Sequence, residues 1–165
     1  MRNNINVFIV ILLFLAAVTA CRDHYHANVS GIKVDIRAAR LENDLFSADP
    51  ASIPMTAKAL AGKYGKFLQY FSYVINIGEV EDSLWKEGLL RFCTDKLNNE
   101  VYGAVQNKFD DLSDIEKGLT EAFRHYLYYF PGSVVPEIYT CITGFNNSII
   151  VGDSVLGIGL DRYLG

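Results

Sequence analysis

The sequence predicts a mainly helical α+β domain with one strand before the helices and a small sheet after them. Three observations lead to this fold class. Apolar residues recur every three or four positions through residues 49–130, which is the period of amphipathic α-helices. After Pro131 the chain becomes rich in β-branched residues, and a short alternating stretch precedes all of the helices. We therefore expect an amino-terminal strand, about four amphipathic helices and then an antiparallel β-meander.

The first twenty residues have the organisation of a secretory signal. Residues 7–18 form an unbroken apolar run, which is too short for a membrane span of ~20 apolar residues. Thr19 and Ala20 are small, and Cys21 follows them, so that residues 18–21 resemble a bacterial lipobox. The resemblance implies cleavage before Cys21, a diacylglyceryl thioether on its sulfur, and acylation of the new amino terminus by a fatty acid such as palmitate. The alternatives are an ordinary secretory signal with an incidental cysteine, or an uncleaved anchor.

These features divide the chain into three parts. We predict a lipoprotein signal peptide over residues 1–20, a polar tether over residues 21–31, and an α+β domain over residues 32–165. His24 and His26 lie in the tether, and no third ligand lies near them, so we predict no metal site. The net charge is −4 and the chain has no cluster of Lys or Arg, which argues against nucleic acid as a partner.

The domain begins with an alternating stretch and continues with a long helix. Ile32, Val34 and Ile36 alternate with charged residues, which predicts a half-buried strand. Asp49 and Pro50 have the residue types of a helix N-cap and first helical position. The apolar stripe of this helix consists of Leu60, Tyr64, Phe67, Leu68, Phe71 and Val74. Gly62 and Gly65 are positions where the helix can bend.

Three further helices are expected. The second follows Asp82 or Ser83, either of which can serve as its N-cap, and the third carries apolar residues at every fourth position from Leu97 to Phe109. Ser113 and Glu116 predict a capping box for the fourth helix. Its apolar face consists of Ile115, Leu119, Phe123, Tyr126 and Phe130.

The carboxyl-terminal part contains three β-rich stretches, at residues 134–143, 148–151 and 154–160. Gly152 and Asp153 suit a two-residue turn between the last two, and a three-strand meander follows from the short connections. The sequence then ends beside a sheet edge, and such an edge is a liability unless more chain covers it. We therefore expect the domain to be truncated at its carboxyl end, as part of a longer protein.

The sequence contains no recognised catalytic motif. H-E-x-x-H, G-x-S-x-G, the P-loop and G-x-G-x-x-G are all absent, and we predict no catalytic residue and no cofactor. Cys93 and Cys141 could form a disulfide in an exported chain, and the sequence leaves their pairing open.

Tyr126, Tyr128 and Tyr129 form part of an unusually dense aromatic stretch. Tyr128 and Tyr129 fall partly off the apolar face of the helix. The stretch is either a wide buried helix face or a surface for a partner or ligand, because tyrosine is favoured where one side of a ring is wet.

Several stretches together resemble one family. They are residues 40–46 (RLENDLF), 60–67 (LAGKYGKF), 129–131 (YFP), 143–145 (TGF) and 158–165 (IGLDRYLG). With the lipobox, they resemble the GldB family of gliding motility lipoproteins of Bacteroidetes. The resemblance implies a lipid-anchored cell-envelope component of gliding motility, whose members are longer than this chain, working with other envelope proteins. We expect it to act through protein contacts rather than catalysis.

The resemblance also carries an alternative function. The family has a distant likeness to predicted zinc peptidases, so the chain could be the amino-terminal half of a zincin-like metallopeptidase whose H-E-x-x-H lies beyond residue 165. A third hypothesis is a ligand-binding lipoprotein that uses residues 126–130. Arg22 and Asp23 do not form the acidic cluster typical of surface-exported lipoproteins of this phylum, which favours a periplasmic location.

Overall fold

The computed structural model describes residues 27–80, 82 and 84–165. The elements in this part of the chain are β1 (Ala38–Arg40), α1 (Leu41–Phe46), α2 (Ile53–Val74), α3 (Trp85–Thr94), α4 (Lys96–Lys108), α5 (Ser113–Tyr129), β2 (Glu137–Cys141), β3 (Ile149–Gly152) and β4 (Val155–Gly159). Single turns of 3₁₀-helix precede α2 and follow β4. The predicted α+β class, with a strand before the helices and a sheet after them, is confirmed.

The four strands lie in the order β1-β2-β4-β3. β3 and β4 form an antiparallel hairpin that pairs Ile149 with Ile158 and Val151 with Leu156. β2, however, pairs with β4 in parallel, and β1 pairs with β2 in parallel. The hairpin was predicted correctly, although its two-residue turn lies at residues 153–154 rather than at Gly152 and Asp153. The antiparallel three-strand meander was wrong, because β4 lies between β2 and β3.

A buried carboxylate explains why the chain crosses the end of the sheet after β2. Asp161 is 1% exposed. Its Oδ1 accepts a hydrogen bond from the backbone N–H of Thr143 at 3.1 Å, and its Oδ2 accepts one from that of Phe145 at 2.6 Å. These bonds hold the connection between β2 and β3 beside the chain that follows β4. A meander would need this connection to fold straight back along β2.

The first strand is displaced from its predicted position. Ile32, Val34 and Ile36 are less exposed than the residues between them, as the alternation predicts, and Ile36 is 5% exposed. The paired strand is Ala38–Arg40, which lies opposite Ile138–Thr140. The preceding residues instead make hydrogen bonds with side chains of α5, so alternation correctly predicted the buried face but not the pairing partner.

α2 supplies the centre of the main core. Tyr64, Phe67, Leu68 and Phe71 of its predicted stripe are at most 1% exposed. The rings of Phe67 and Tyr139 are stacked, with centroids 4.4 Å apart and an interplanar angle of 3°. Gly65 has φ 48° and ψ −129°, which breaks the helix into two segments at a position where only glycine is unstrained.

α3 and α4 pack around this core. Trp85, at the start of α3, is fully buried, and its Nε1 donates a hydrogen bond to Ser72 Oγ at 2.8 Å. Asp95 is the N-cap of α4, since its side chain accepts from the Asn98 backbone N–H at 3.0 Å. On the other side of the sheet a second cluster consists of Val101, Val105, Ile142 and Leu160.

The capping box predicted for α5 is wrong. Asp111 binds the start of the helix instead, accepting 2.8 Å hydrogen bonds from both the backbone N–H and the hydroxyl of Ser113. These bonds lower the pKa of the Asp111 carboxyl. Glu116 points to the first strand, where its Oε1 accepts from the Ala38 N–H at 2.9 Å and its Oε2 accepts from Arg37. Glu116 therefore binds residues that are distant in sequence, instead of capping its own helix as the local pattern predicted.

Candidate functional site

The aromatic stretch at the end of α5 is a surface rather than a buried helix face. Tyr126, Tyr128, Tyr129 and Phe130, which we call the aromatic surface, are 39%, 48%, 55% and 58% exposed. α5 has no buried residue at all, although one face of it is apolar. The interpretation of this stretch as a wide buried helix face is therefore wrong, because its side chains are exposed.

The rings of the aromatic surface contact one another. The centroids of Tyr126 and Phe130 are 5.3 Å apart, and those of Tyr128 and Tyr129 are 5.1 Å apart in an edge-to-face arrangement. Tyr126 also contacts Phe123 edge to face at 6.1 Å. Mutual ring contacts order the side chains without burying them. The surface thus presents aromatic area to its surroundings in a defined shape.

Besides the bond from Arg37 to Glu116, three hydrogen bonds fasten α5 to the amino-terminal stretch of the domain. Ala38 N–H donates to Glu116, Ile36 N–H donates to Thr120 Oγ1 at 3.0 Å, and Arg124 Nη2 donates to the carbonyl oxygen of Val34 at 3.1 Å. The amino-terminal stretch and α5 therefore run antiparallel, and every two residues of the extended stretch lie beside four residues of the helix. Sequence patterns could not reveal this contact, since its partners are 78 to 90 residues apart.

A second apolar surface lies on the β3–β4 hairpin. Val151 is 73% exposed and Ile149 is 40% exposed. Their cross-strand partners Leu156 and Ile158 are half-buried on the same side of the hairpin. We call these four residues the hairpin face. The opposite side of β3 is covered, because Ile150 is 5% exposed and packs in the main core.

A cleft of ≈ 580 Å³ lies between α2 and the start of β2, lined in part by Lys63, Tyr64, Glu137 and Tyr139. Three polar side chains of its lining are paired with nearby carboxylates. The hydroxyl of Tyr64 donates to Asp44 at 2.8 Å, the amine of Lys63 binds the same carboxylate at 2.6 Å, and the hydroxyl of Tyr139 donates to Glu137 at 2.5 Å.

The two phenols of this cleft are held in their neutral form. Burial raises the pKa of Tyr139 to about 12, and the hydrogen bond to Glu137 raises it further in the same direction. Burial, followed by the hydrogen bond to Asp44, raises the pKa of Tyr64. Near neutral pH both groups are hydrogen-bond donors, and neither is available as a base.

Cys93 and Cys141 are free thiols in the structure, and both are buried. Burial raises the pKa of Cys93 to about 12 and that of Cys141 well above its ordinary value. A buried, protonated thiol is a poor nucleophile and packs as a small apolar group. The disulfide that the sequence left open is not formed in this structure.

The predicted lipidation site and the two tether histidines lie outside the described residues. Within the part of the chain that the structure describes, no group of three or more His, Cys, Asp or Glu side chains could hold a metal ion. Among the helices of that part, none is long and apolar enough to cross a membrane.

Comparison with known proteins gives one match. The family model described as gliding motility protein GldB matches residues 22–165, which includes the aromatic surface, the hairpin face and all of the stretches that carried the resemblance. No curated protein and no solved structure matches the chain. The family is one of lipoproteins, anchored to a membrane of the cell envelope. The chain belongs to the GldB family of gliding motility lipoproteins.

Proposed function

We propose that this chain is held on the periplasmic side of a membrane by acyl chains on Cys21 and serves gliding motility through contacts with other envelope proteins rather than by catalysis. The sequence around Cys21 supports the anchor, since small residues separate it from a twelve-residue apolar run at 7–18. Each buried CH₂ of an acyl chain is worth ~0.8 kcal/mol, so a cysteine that carries several chains stays in a bilayer without a protein span.

The hairpin face is the observation that supports protein contacts. Val151 and Ile149 are β-branched side chains on an edge strand, and their exposed fractions of 73% and 40% leave apolar area in water. Rigid, branched side chains on a sheet present a flat and well-defined apolar surface, which suits the apolar centre of a protein interface. The partner we propose is therefore an envelope protein with a matching apolar face.

The cleft beside α2 supports a role without catalysis. The Tyr64 hydroxyl and the Lys63 amine of its lining bind Asp44, and the Tyr139 hydroxyl donates to Glu137. A catalytic base or nucleophile needs a lone pair that is free to react, with a pKa near the working pH. The bonds to Asp44 instead fasten α2 to α1, and the bond between Tyr139 and Glu137 lies within β2.

A substitution on the hairpin face tests the proposal. We expect Val151→Asp, introduced at the native locus, to abolish surface spreading, because a charge would have to be buried in the interface. The side chain is 73% exposed, so the fold should be kept. Leu97→Asp is the matched control, since Leu97 is 59% exposed on α4. Normal spreading by the Val151→Asp strain, with normal protein levels, would contradict the proposed contact.

A further inference from the structure

We infer that the aromatic surface at the end of α5 lies in the headgroup layer of the bilayer to which the chain is anchored. The inference rests on the proposed lipid anchor and assigns a second membrane contact that the anchor alone does not supply. Its occupant is a phospholipid surface. Four features support this occupant: the point where the chain enters the domain, the length of the tether, the charges around the surface, and the bonding of its tyrosines.

The chain enters the domain beside the aromatic surface. The hydrogen bonds of α5 set Ala38 against Glu116, Ile36 against Thr120 and Val34 against Arg124. Two extended residues cover about 6.6 Å and four helical residues about 6 Å, so the same pairing repeats along both segments. Val34, the last of these three residues towards the tether, therefore lies against Arg124, two residues before Tyr126.

The tether is at most about as long as the domain is wide. Ten residues, the length of the segment 22–31, span at most about 35 Å. A domain of the size of residues 32–165 has a radius of gyration of about 14 Å and thus a similar overall width. Anchoring at Cys21 therefore keeps Ile32 within about 35 Å of the bilayer, and the residues that follow Ile32 run along α5, the helix whose carboxyl-terminal end carries the aromatic surface.

The charge around the aromatic surface suits a phospholipid surface. Residues 122–136 include Arg124 and His125 but no Asp or Glu, in a chain whose net charge is −4. On the adjacent amino-terminal stretch the exposed charges of Lys33 and Asp35 cancel. Glu121 and Glu137 flank this segment, and the aromatic surface between them carries no carboxylate that would repel anionic headgroups.

The hydroxyls of the aromatic surface are available to water and headgroups. Elsewhere the phenols of Tyr64, Tyr73 and Tyr139 donate to carboxylates of this chain. Those of Tyr126, Tyr128 and Tyr129 make no hydrogen bond within residues 27–80, 82 and 84–165. Rings that combine an apolar body with a free hydroxyl are the ones that accumulate at the membrane–water interface.

Site-directed spin labelling tests this inference on the lipidated chain, reconstituted into vesicles of phosphatidylethanolamine and phosphatidylglycerol. Tyr129→Cys carries the label in one sample. Tyr73→Cys is the matched control, because Tyr73 and Tyr129 are both 55% exposed. Tyr73 lies at the far end of the sheet, where Asn146 beyond β2 donates to the carbonyl of Val74. The native Cys93 and Cys141 are buried and should not be labelled.

We expect collisions with a water-soluble nickel complex to fall severalfold at residue 129 relative to residue 73, and collisions with oxygen to rise. Equal exposure of both labels to the nickel complex, in protein that floats with the vesicles, would overturn the inference and leave the lipid anchor intact. That result would favour a protein as the occupant. Protein that does not float at all would contradict the anchor, and with it this inference.

Discussion

Single buried carboxylates organise much of this small domain. Glu42 is fully buried, and it accepts from Arg40 Nε at 2.7 Å and from Thr140 Oγ1 at 2.9 Å. Asp161 fastens the connection that follows β2 in the same way. A buried carboxylate is costly unless hydrogen bonds satisfy it, so each donor matters. The sequence did not predict this role for Glu42, because Thr140 is 98 residues away.

At this scale we predict that Thr140→Val destabilises the domain. The substitution keeps the shape of the side chain but removes a donor to Glu42, and an unsatisfied buried group costs ~1–3 kcal/mol in the free energy of unfolding. Urea denaturation measures the loss. The control is Thr94→Val, whose hydroxyl donates to the Leu90 carbonyl at the exposed surface of α3. Equal stability of the two variants would show that Glu42 does not depend on Thr140.

Helices and strands differ in how far the sequence predicts them. The stripe of α2 was predicted correctly, because its period arises from residues three and four positions apart. The parallel pairing of β2 with β4 was not, because it depends on the connection across the end of the sheet. α5 had the pattern of a packed helix, yet it has no buried residue, since hydrogen bonds to residues 34–38 hold it instead.

The close approach of α2 to β4 gives a prediction at the scale of elements. A Cβ at Gly157 would lie 2.4 Å from Cε2 of the buried Phe67 ring, so we expect Gly157→Ala to lower the free energy of unfolding by ~1–3 kcal/mol. Gly118→Ala is the control, because no atom lies within 4 Å of its Cβ position in α5. It should stabilise the helix by ~0.5–1 kcal/mol. Thermal unfolding measures whether Gly157→Ala destabilises the domain and whether Gly118→Ala stabilises it.

The whole chain combines a proposed lipidation signal with two exposed apolar surfaces. The proposed signal consists of the consecutive residues 18–21, so a sequence pattern is enough to predict it. The density of tyrosine in the sequence indicates the aromatic surface. Its exposure could not be predicted from the sequence, because exposure depends on which elements α5 packs against. The hairpin face was not predicted at all, since alternation cannot tell a covered side of an edge strand from an open one.

The central claim is that Cys21 anchors this chain through acyl chains, and growth of the native host with radiolabelled palmitate tests it most directly. We expect label in the wild-type protein and in Cys93→Ala, whose sulfur is buried, and none in Cys21→Ala. Label that persists in the Cys21→Ala protein, or a wild-type chain that takes up none, would contradict lipid anchorage at this residue.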